Sequence, residues 1–329
     1  MTRLRRPALA VVCAALVLGA AACGVDEPTT TAQTSSTSAT QPATTAASPA
    51  AQSTATTGGQ SAGGSAAAGA DPASLVPQAI RDRGTLNVGT QPDFEPANYT
   101  PVGESGIKGY NVDLMEAMAA KLNLKVNWTK VPFDQLLIGI QSRKFDLAIA
   151  GMTDRKARQE QADFLDYQVT GTVYMVAKGN PKGITSEADG GCGIKVGDVK
   201  GSDAQRLIDL MTEACKKVGK PAPELISYAN SGDKNLALTS GRVDAIFWPD
   251  VSVPVLMRET GDKLESLPVN FEPKVYLGMT FNKADTQLRD AFLAALQAIH
   301  QDGTYDAILK KWNLEVIALP TPGVNLAKS

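Results

Sequence analysis

The chain has 329 residues, 43 % of them apolar, with a formal charge of −2 at neutral pH. That length accommodates two ordinary domains, and the apolar share is enough for sizeable cores. So small a charge gives nucleic acid no electrostatic footprint to read.

Residues 1–23 read as an export signal: Arg3, Arg5 and Arg6, then the apolar run Leu9–Leu18, too short to span a bilayer. The stretch Gly19-Ala20-Ala21-Ala22-Cys23 follows and resembles a bacterial lipobox, with Ala20 where a leucine is usual. The resemblance implies that Cys23 is lipidated and becomes the mature N-terminus. Ordinary secretion with cleavage nearby is the alternative. Loss of the three arginines leaves 29 basic against 34 acidic residues, a net charge of −5. Residues 24–72 are Thr, Ser, Ala, Gln, Gly and Pro almost throughout, too poor in large apolar side chains to offset the entropy of ordering. They are expected to form a disordered tether with an end-to-end distance of roughly 40 Å.

The folded part is expected to open near Ser74, with a helix over Val76–Arg83 closed by Gly84 and a first strand over Thr85–Gly89. A proline-broken loop, Thr90–Tyr99, comes next, where α/β sheets bind ligands. Helical spacing marks Asn111–Leu122 and Phe133–Ser142, and alternation marks a strand over Leu124–Thr129. Asp146–Ala150 reads as a buried strand that breaks at Gly151, passes through Met152 and Thr153, and enters a turn carrying Arg155 and Arg158. A glycine lets a ligand approach the backbone, free N–H groups attract negative charge, and arginine grips carboxylates with paired hydrogen bonds. The bland alternative pairs Arg158 with Asp154 or Glu160. A strand over Thr172–Lys178 is broken by Gly179-Asn180-Pro181. Beyond it lie a strand at Gly193–Gly197, a helix over Ala204–Val218 with Ser202 as N-cap, a strand at Leu225–Tyr228 and a short helix at Asn235–Ser240. A strand over Asp244–Phe247 ends in Trp248-Pro249-Asp250. Helices Ala284–Gln301 and Tyr305–Trp312 follow, and the tail after Pro320 carries no readable element.

Gly151-Met152-Thr153, then Arg158 and Asp163-Phe164, resembles the signature of the family 3 solute-binding proteins of ABC importers, which take up polar amino acids. The resemblance runs from about Gly84 to Ile317 through GTLNVGT, KGYNVDLMEAMAAKL, FDQLLIGIQSRKFDLAIAG, NLALTSGRVDA and DGTYDAILKKWNL. It implies an α/β, two-lobe, periplasmic-binding-protein-like fold of type II, with two mixed sheets covered by helices and joined by two hinge strands. Lobe 1 would comprise residues 73–177 and 271–329, the latter with the tail, and lobe 2 residues 178–270.

Site residues follow from the same resemblance. Arg158 would clamp a ligand's α-carboxylate, with Gly151, Met152 and Thr153 forming the turn that presents it and the Thr153 hydroxyl helping at the amino group. Phe94 would cover the ligand, or plug the core. Phe133 would be the second wall, or a first-turn anchor. Related proteins use the start of the helix after Ser202 for the carboxylate. Asp203 there opposes an anion, so it either turns away to support the helix dipole or meets a cationic ligand group. Asp250 is the candidate for the ligand's ammonium, one residue late in the motif. Trp248 would stack on a cation or lie in the core. Gln91 stands where binders of basic amino acids carry an acid, and Arg155 could reach a second acidic group. These features imply a polar neutral or acidic amino acid, or a similar zwitterion.

With Cys13 gone with the signal and Cys23 acylated, Cys192 and Cys215 remain as a pair in an oxidising compartment, so a disulfide is expected. By loop entropy it contributes about 3 kcal/mol. A metal site would need more ligands than one distant histidine, His300, supplies, and no cofactor is implied. Two function classes compete. One is a monomeric binding protein, lipid-anchored to the outer face of the membrane, that closes on a zwitterion and delivers it to permease subunits. The other is a small-acid dehydratase on the same scaffold, for which Glu95 is the one nearby general acid or base considered.

Overall fold

The computed structural model describes residues 71–329. The expected signal peptide, Cys23 and nearly all of the tether lie outside the described residues. In chain order the strands are β1 (Thr85–Thr90), β2 (Asp93–Phe94), β3 (Asn98–Tyr99), β4 (Lys125–Lys130), β5 (Leu147–Thr153), β6 (Asp163–Thr170), β7 (Thr172–Ala177), β8 (Lys195–Val199), β9 (Glu224–Tyr228), β10 (Ala245–Pro249), β11 (Leu264–Pro268), β12 (Val275–Phe281) and β13 (Ala318–Val324). The helices are α1 (Gln78–Arg83), α2 (Tyr110–Lys121), α3 (Leu136–Gln141), α4 (Lys156–Gln159), α5 (Ala204–Lys217), α6 (Ser231–Thr239), α7 (Val253–Thr260), α8 (Thr286–Gln301) and α9 (Thr304–Lys311).

Two mixed sheets result. The first runs β13-β6-β12-β5-β1-β4 and the second β11-β7-β10-β8-β9. Strand β1 pairs in parallel with β4 and β5, while β12 is antiparallel to both β5 and β6. Each sheet is covered on both faces. Leu147 and Ile149 of β5 pack with Leu114, Met118, Phe292 and Leu296 from α2 and α8. Ala148 and Met152 of the same strand point the other way, against Leu136, Ile140 and Phe164. In β10 the period of two sends Ala245 and Phe247 to one core, Ile246 and Trp248 to the other.

Two connections join the sheets. The chain leaves the first at the single residue Gly171, between β6 and β7, and returns through residues 269–274, between β11 and β12. This corrects the expected lobe boundary. Strand β7 pairs with β10 and β11, so residues 172–177 belong to the second lobe, not the first. β6 and β7 run on almost without interruption, which hides the crossing in the sequence. Two local expectations also change. Strand β5 does not stop at Ala150 but continues to Thr153, with Gly151 at φ +64° and the register against β12 shifting beside it. A bulge at a glycine of positive φ re-aims the strand end without ending it. The tail after Pro320 is an edge strand, β13, on β6.

The expected disulfide is present between Cys192 and Cys215, tying the entry of β8 to the last turn of α5. No helix among the described residues is long and apolar enough to cross a membrane.

Candidate functional site

The carboxyl ends of β1, β5, β8 and β10 face one another across the cleft between the sheets and enclose a cavity of about 170 Å³. Strand ends are where open α/β sheets place their ligands, because the loops beyond them are free to vary. Of the expected residues, Phe94, Phe133, Gly151, Thr153, Arg155 and Arg158 line it from the first lobe, and Ser202, Asp203 and Trp248 from the second. Met152 and Asp250 do not. Met152 is the β5 residue of inward parity and is buried under α3. Asp250 is held at the crossing instead: its Oδ1 accepts from Thr170 Oγ1 at 3.0 Å and its N–H donates to the Gly171 carbonyl at 3.0 Å.

Arg158 makes neither of the ion pairs its spacing allowed. Its Nη1 donates to the Thr153 carbonyl at 2.8 Å, and its Nη2 to the Gly201 carbonyl, in the other lobe, at 2.8 Å. A guanidinium carries five N–H donors, so three remain for a ligand carboxylate. Burial pulls its pKa below the ordinary arginine value, and Asp203 opposes that shift. The group stays charged.

Arg155 is differently engaged. It donates to Asp203 Oδ2 from Nη2 at 2.8 Å and from Nε at 3.2 Å, and to Glu272 Oε1 at 2.6 Å. Arg206 reaches the same two carboxylates at 3.0 and 2.6 Å. The expectation that Arg155 would take a second acidic group of the ligand is therefore corrected, since two protein carboxylates already hold it. Asp203 neither turns away nor awaits a cationic ligand. It meets Arg155 across the cleft. Ser202 Oγ accepts from the Ala204 N–H at 3.3 Å, but the N-cap of α5 is Asp203, without a side-chain cap bond, one residue later than expected.

The rings of Phe94 and Trp248 lie 4.9 Å apart, and Trp248 is 3 % exposed. The cation over Trp248 is the protein's own: Lys234 Nζ sits 4.6 Å from the ring centroid. Sequence reasoning missed this lysine, starting the helix one residue after it, at Asn235. Lys234 is 4 % exposed and donates to Asp198 Oδ1 at 3.0 Å and to the Phe247 carbonyl at 3.2 Å. An aspartate within the buried run of β8 was the available signal, because a buried carboxylate calls for a partner.

The remaining carboxylate of the cavity, Asp93, was also missed. Its Oδ2 accepts from Gln91 Nε2 at 2.6 Å and from the Ser231 N–H, in the other lobe, at 2.8 Å. Both partners are neutral. Glu95 stands outside the cavity, paired with Arg258 at 2.8 Å. Among the described residues no group of three or more His, Cys, Asp or Glu side chains is placed to hold a metal.

A model of the bacterial extracellular solute-binding proteins, family 3, matches residues 86–315. The L-cystine-binding protein TcyA of Bacillus subtilis is 27 % identical over 235 residues, 71 % of this chain and 83 % of that protein. The arginine-binding protein ArgT of Corynebacterium glutamicum is 27 % identical over 247 residues, 74 % of this chain and 78 % of that protein. Among solved structures, an ancestral arginine-binding protein bound to arginine superposes with a TM-score of 0.63 at 29 % identity, covering 70 % of this chain and 98 % of its own.

Proposed function

Since the chain belongs to the family 3 bacterial extracellular solute-binding proteins, we propose that it captures a zwitterionic polar amino acid between its lobes and hands it unchanged to the permease of an ABC importer. The observation that carries this reading is the balance of charge in the cavity. Lys234 is neutralised by Asp198, and Arg155 with Arg206 by Asp203 and Glu272. Arg158 and Asp93 alone, among the charged residues lining the cavity, meet only neutral partners. One uncompensated cation and one uncompensated anion in a shared cavity match a carboxylate and an ammonium. In this reading Asp93 takes the ammonium that Asp250 was expected to take, Phe94 and Phe133 flank the ligand, and Thr153 and Ser202 add hydroxyls.

Closure is the proposed mechanism. Arg158 and Asp93 each already hydrogen-bond to the opposite lobe, so a ligand seated on both favours the closed form by its differential affinity for it. Turnover draws no support from the lining, which includes no histidine or glutamate. Relatives bearing cystine- and arginine-binding names support the amino-acid class. We further propose that Cys23 is acylated and that residues 24–72 hold the lobes off the outer face of the membrane.

Isothermal titration of the mature chain against the twenty amino acids tests the reading. At least one binds, and both Arg158→Met and Asp93→Asn weaken it by about tenfold or more, the effect of removing one charge-assisted bond. Retention of full affinity by both variants, or conversion of the bound ligand to a product, overturns it. A Cys23→Ala chain is expected in the medium instead of the membrane fraction.

A further inference from the structure

Part of the cavity is lined by uncharged polar side chains of β6 and α2. Gln168 of β6 is 1 % exposed and lines it, and its side-chain carbonyl oxygen has no hydrogen-bond partner. Its Nε2 donates to the phenol oxygen of Tyr110 at 2.9 Å. Tyr110, at the start of α2, is 3 % exposed and also lines the cavity. Its phenol oxygen accepts from Gln168, but its own proton meets no acceptor among the described residues. A fully buried carbonyl oxygen left unpaired costs about 1–3 kcal/mol, which a ligand group pairing with it would relieve.

Register fixes where this pair lies. Leu277 of β12 is opposite both Thr153 of β5 and Gln168 of β6. Residues directly opposite in a sheet share a face, and all three line the cavity. Two strand spacings separate Thr153 from Gln168, about 10 Å. The carboxylate-gripping turn and the Gln168–Tyr110 pair therefore occupy opposite ends of one floor, with Leu277 and Val275 as apolar ground between them. Burial raises the Tyr110 phenol above its ordinary value, so it remains a neutral donor. None of the charged side chains lining the cavity comes from β6, α2 or β12: they come from β2, the β5–α4 turn, α4, β8, the α5 start and α6, and the nearby carboxylate of Asp250, outside the lining, is held by Thr170.

We propose that Gln168 and Tyr110 form a distal subsite for the uncharged carboxamide end of the ligand. The carboxamide N–H₂ donates to the free Gln168 oxygen, and its carbonyl accepts the Tyr110 proton. One acceptor and one donor side by side match a carboxamide at two points. A distal carboxylate satisfies only the tyrosine and repels the glutamine oxygen, and a distal ammonium satisfies only the glutamine. The subsite rests on the amino-acid reading above and narrows it from polar to amide-bearing.

Titration of the mature chain with glutamine, glutamate, lysine and alanine tests it. The wild type prefers glutamine over glutamate and lysine. Gln168→Leu lowers the ratio of glutamine to alanine affinity by about tenfold or more, because the ligand amide is stranded. Gln168→Glu, of the same shape, moves the preference from glutamine toward lysine, and this gain is measurable only on a folded protein. Tyr110→Phe lowers the ratio of glutamine to lysine affinity. An unchanged glutamine-to-alanine ratio in Gln168→Leu, or an equal loss for all ligands, overturns the subsite while leaving amino-acid binding intact. Failure of the wild type to bind any amino acid overturns both readings together.

Discussion

Replacing Arg155 by methionine should open the cleft. Arg155 stands just after β5 in the first lobe, and its guanidinium spans to Asp203 at the start of α5 in the second. It makes two bonds to Asp203 and one to Glu272, and its side chain is 10 % exposed, so solvent screens the group little. A charge-assisted hydrogen bond is worth about 1.5–3 kcal/mol. Its removal does not strand the carboxylates, because Arg206 still reaches both. The loss therefore falls on closure and not on folding. Taken as about 1.5–3 kcal/mol, it shifts the open–closed equilibrium by about 10- to 150-fold. Small-angle scattering of the unliganded variant should give a larger radius of gyration, and ligand titration an apparent affinity lowered by up to the same factor. A double-mutant cycle with Asp203→Asn should return a coupling of about 1 kcal/mol or more. Unchanged scattering and affinity in Arg155→Met would refute the reasoning, as would a cooperative loss of the fold.

Three further outcomes follow from buried groups. Reducing or replacing the Cys192–Cys215 bridge should lower the unfolding free energy by about 3 kcal/mol, read as a shift in the urea midpoint. Lys234→Met leaves Asp198 buried without its cation and should cost about 3–5 kcal/mol, whereas Lys234→Met with Asp198→Leu should recover much of it. Burial and the neighbouring Asp154 push the Asp166 carboxyl up to about 8 from 3.8. The folded chain thus holds a proton that the unfolded chain releases above about pH 4. Stability attributable to Asp166 is present at low pH and lost as pH rises toward 8, with a slope of at most about 1.4 kcal/mol per unit. Thermal melts from pH 5 to 8 should show this slope, and Asp166→Asn should flatten it.

The fold was legible wherever periodicity was. Val112, Leu114, Met115 and Met118 announced α2 by helical spacing and are all buried. Strands β5, β7, β8 and β10 read as short apolar runs. What escaped was set by pairing instead of pattern. β13 contains Pro320 and Pro322, which remove backbone donors, and an edge strand tolerates them because one side needs none. The passage from one sheet to the other at Gly171 is invisible because β6 and β7 flow together. At the cavity, the presence of Arg158 and Thr153 in the lining was readable from the turn that carries them. Asp93, Asp198, Lys234 and Gln168 were not, since each owes its role to a partner from a distant element. Asp250 shows the opposite case: a motif position implied a ligand contact, but the Thr170 hydroxyl holds its carboxylate and the Gly171 carbonyl its backbone N–H.

The charges of the cleft divide into those that hold the protein together and those left over. Arg155 with Asp203 and Lys234 with Asp198 are complete pairs, and a ligand gains nothing from them without first breaking one. Arg158 and Asp93 are incomplete, and both are also bound across the cleft, to the Gly201 carbonyl and the Ser231 N–H. Opening the lobes takes from each its neutral partner on the far side and leaves one bond apiece, Arg158 to the Thr153 carbonyl and Asp93 from the Gln91 side chain, so an open cleft presents both groups to water. Closing returns those partners and fixes the two charges at one spacing. On the proposed reading, recognition and closure thus depend on the same two side chains. A solute carrying only one of the two charges leaves the other buried without a counterion, a cost of several kcal/mol, and the closed form selects against it.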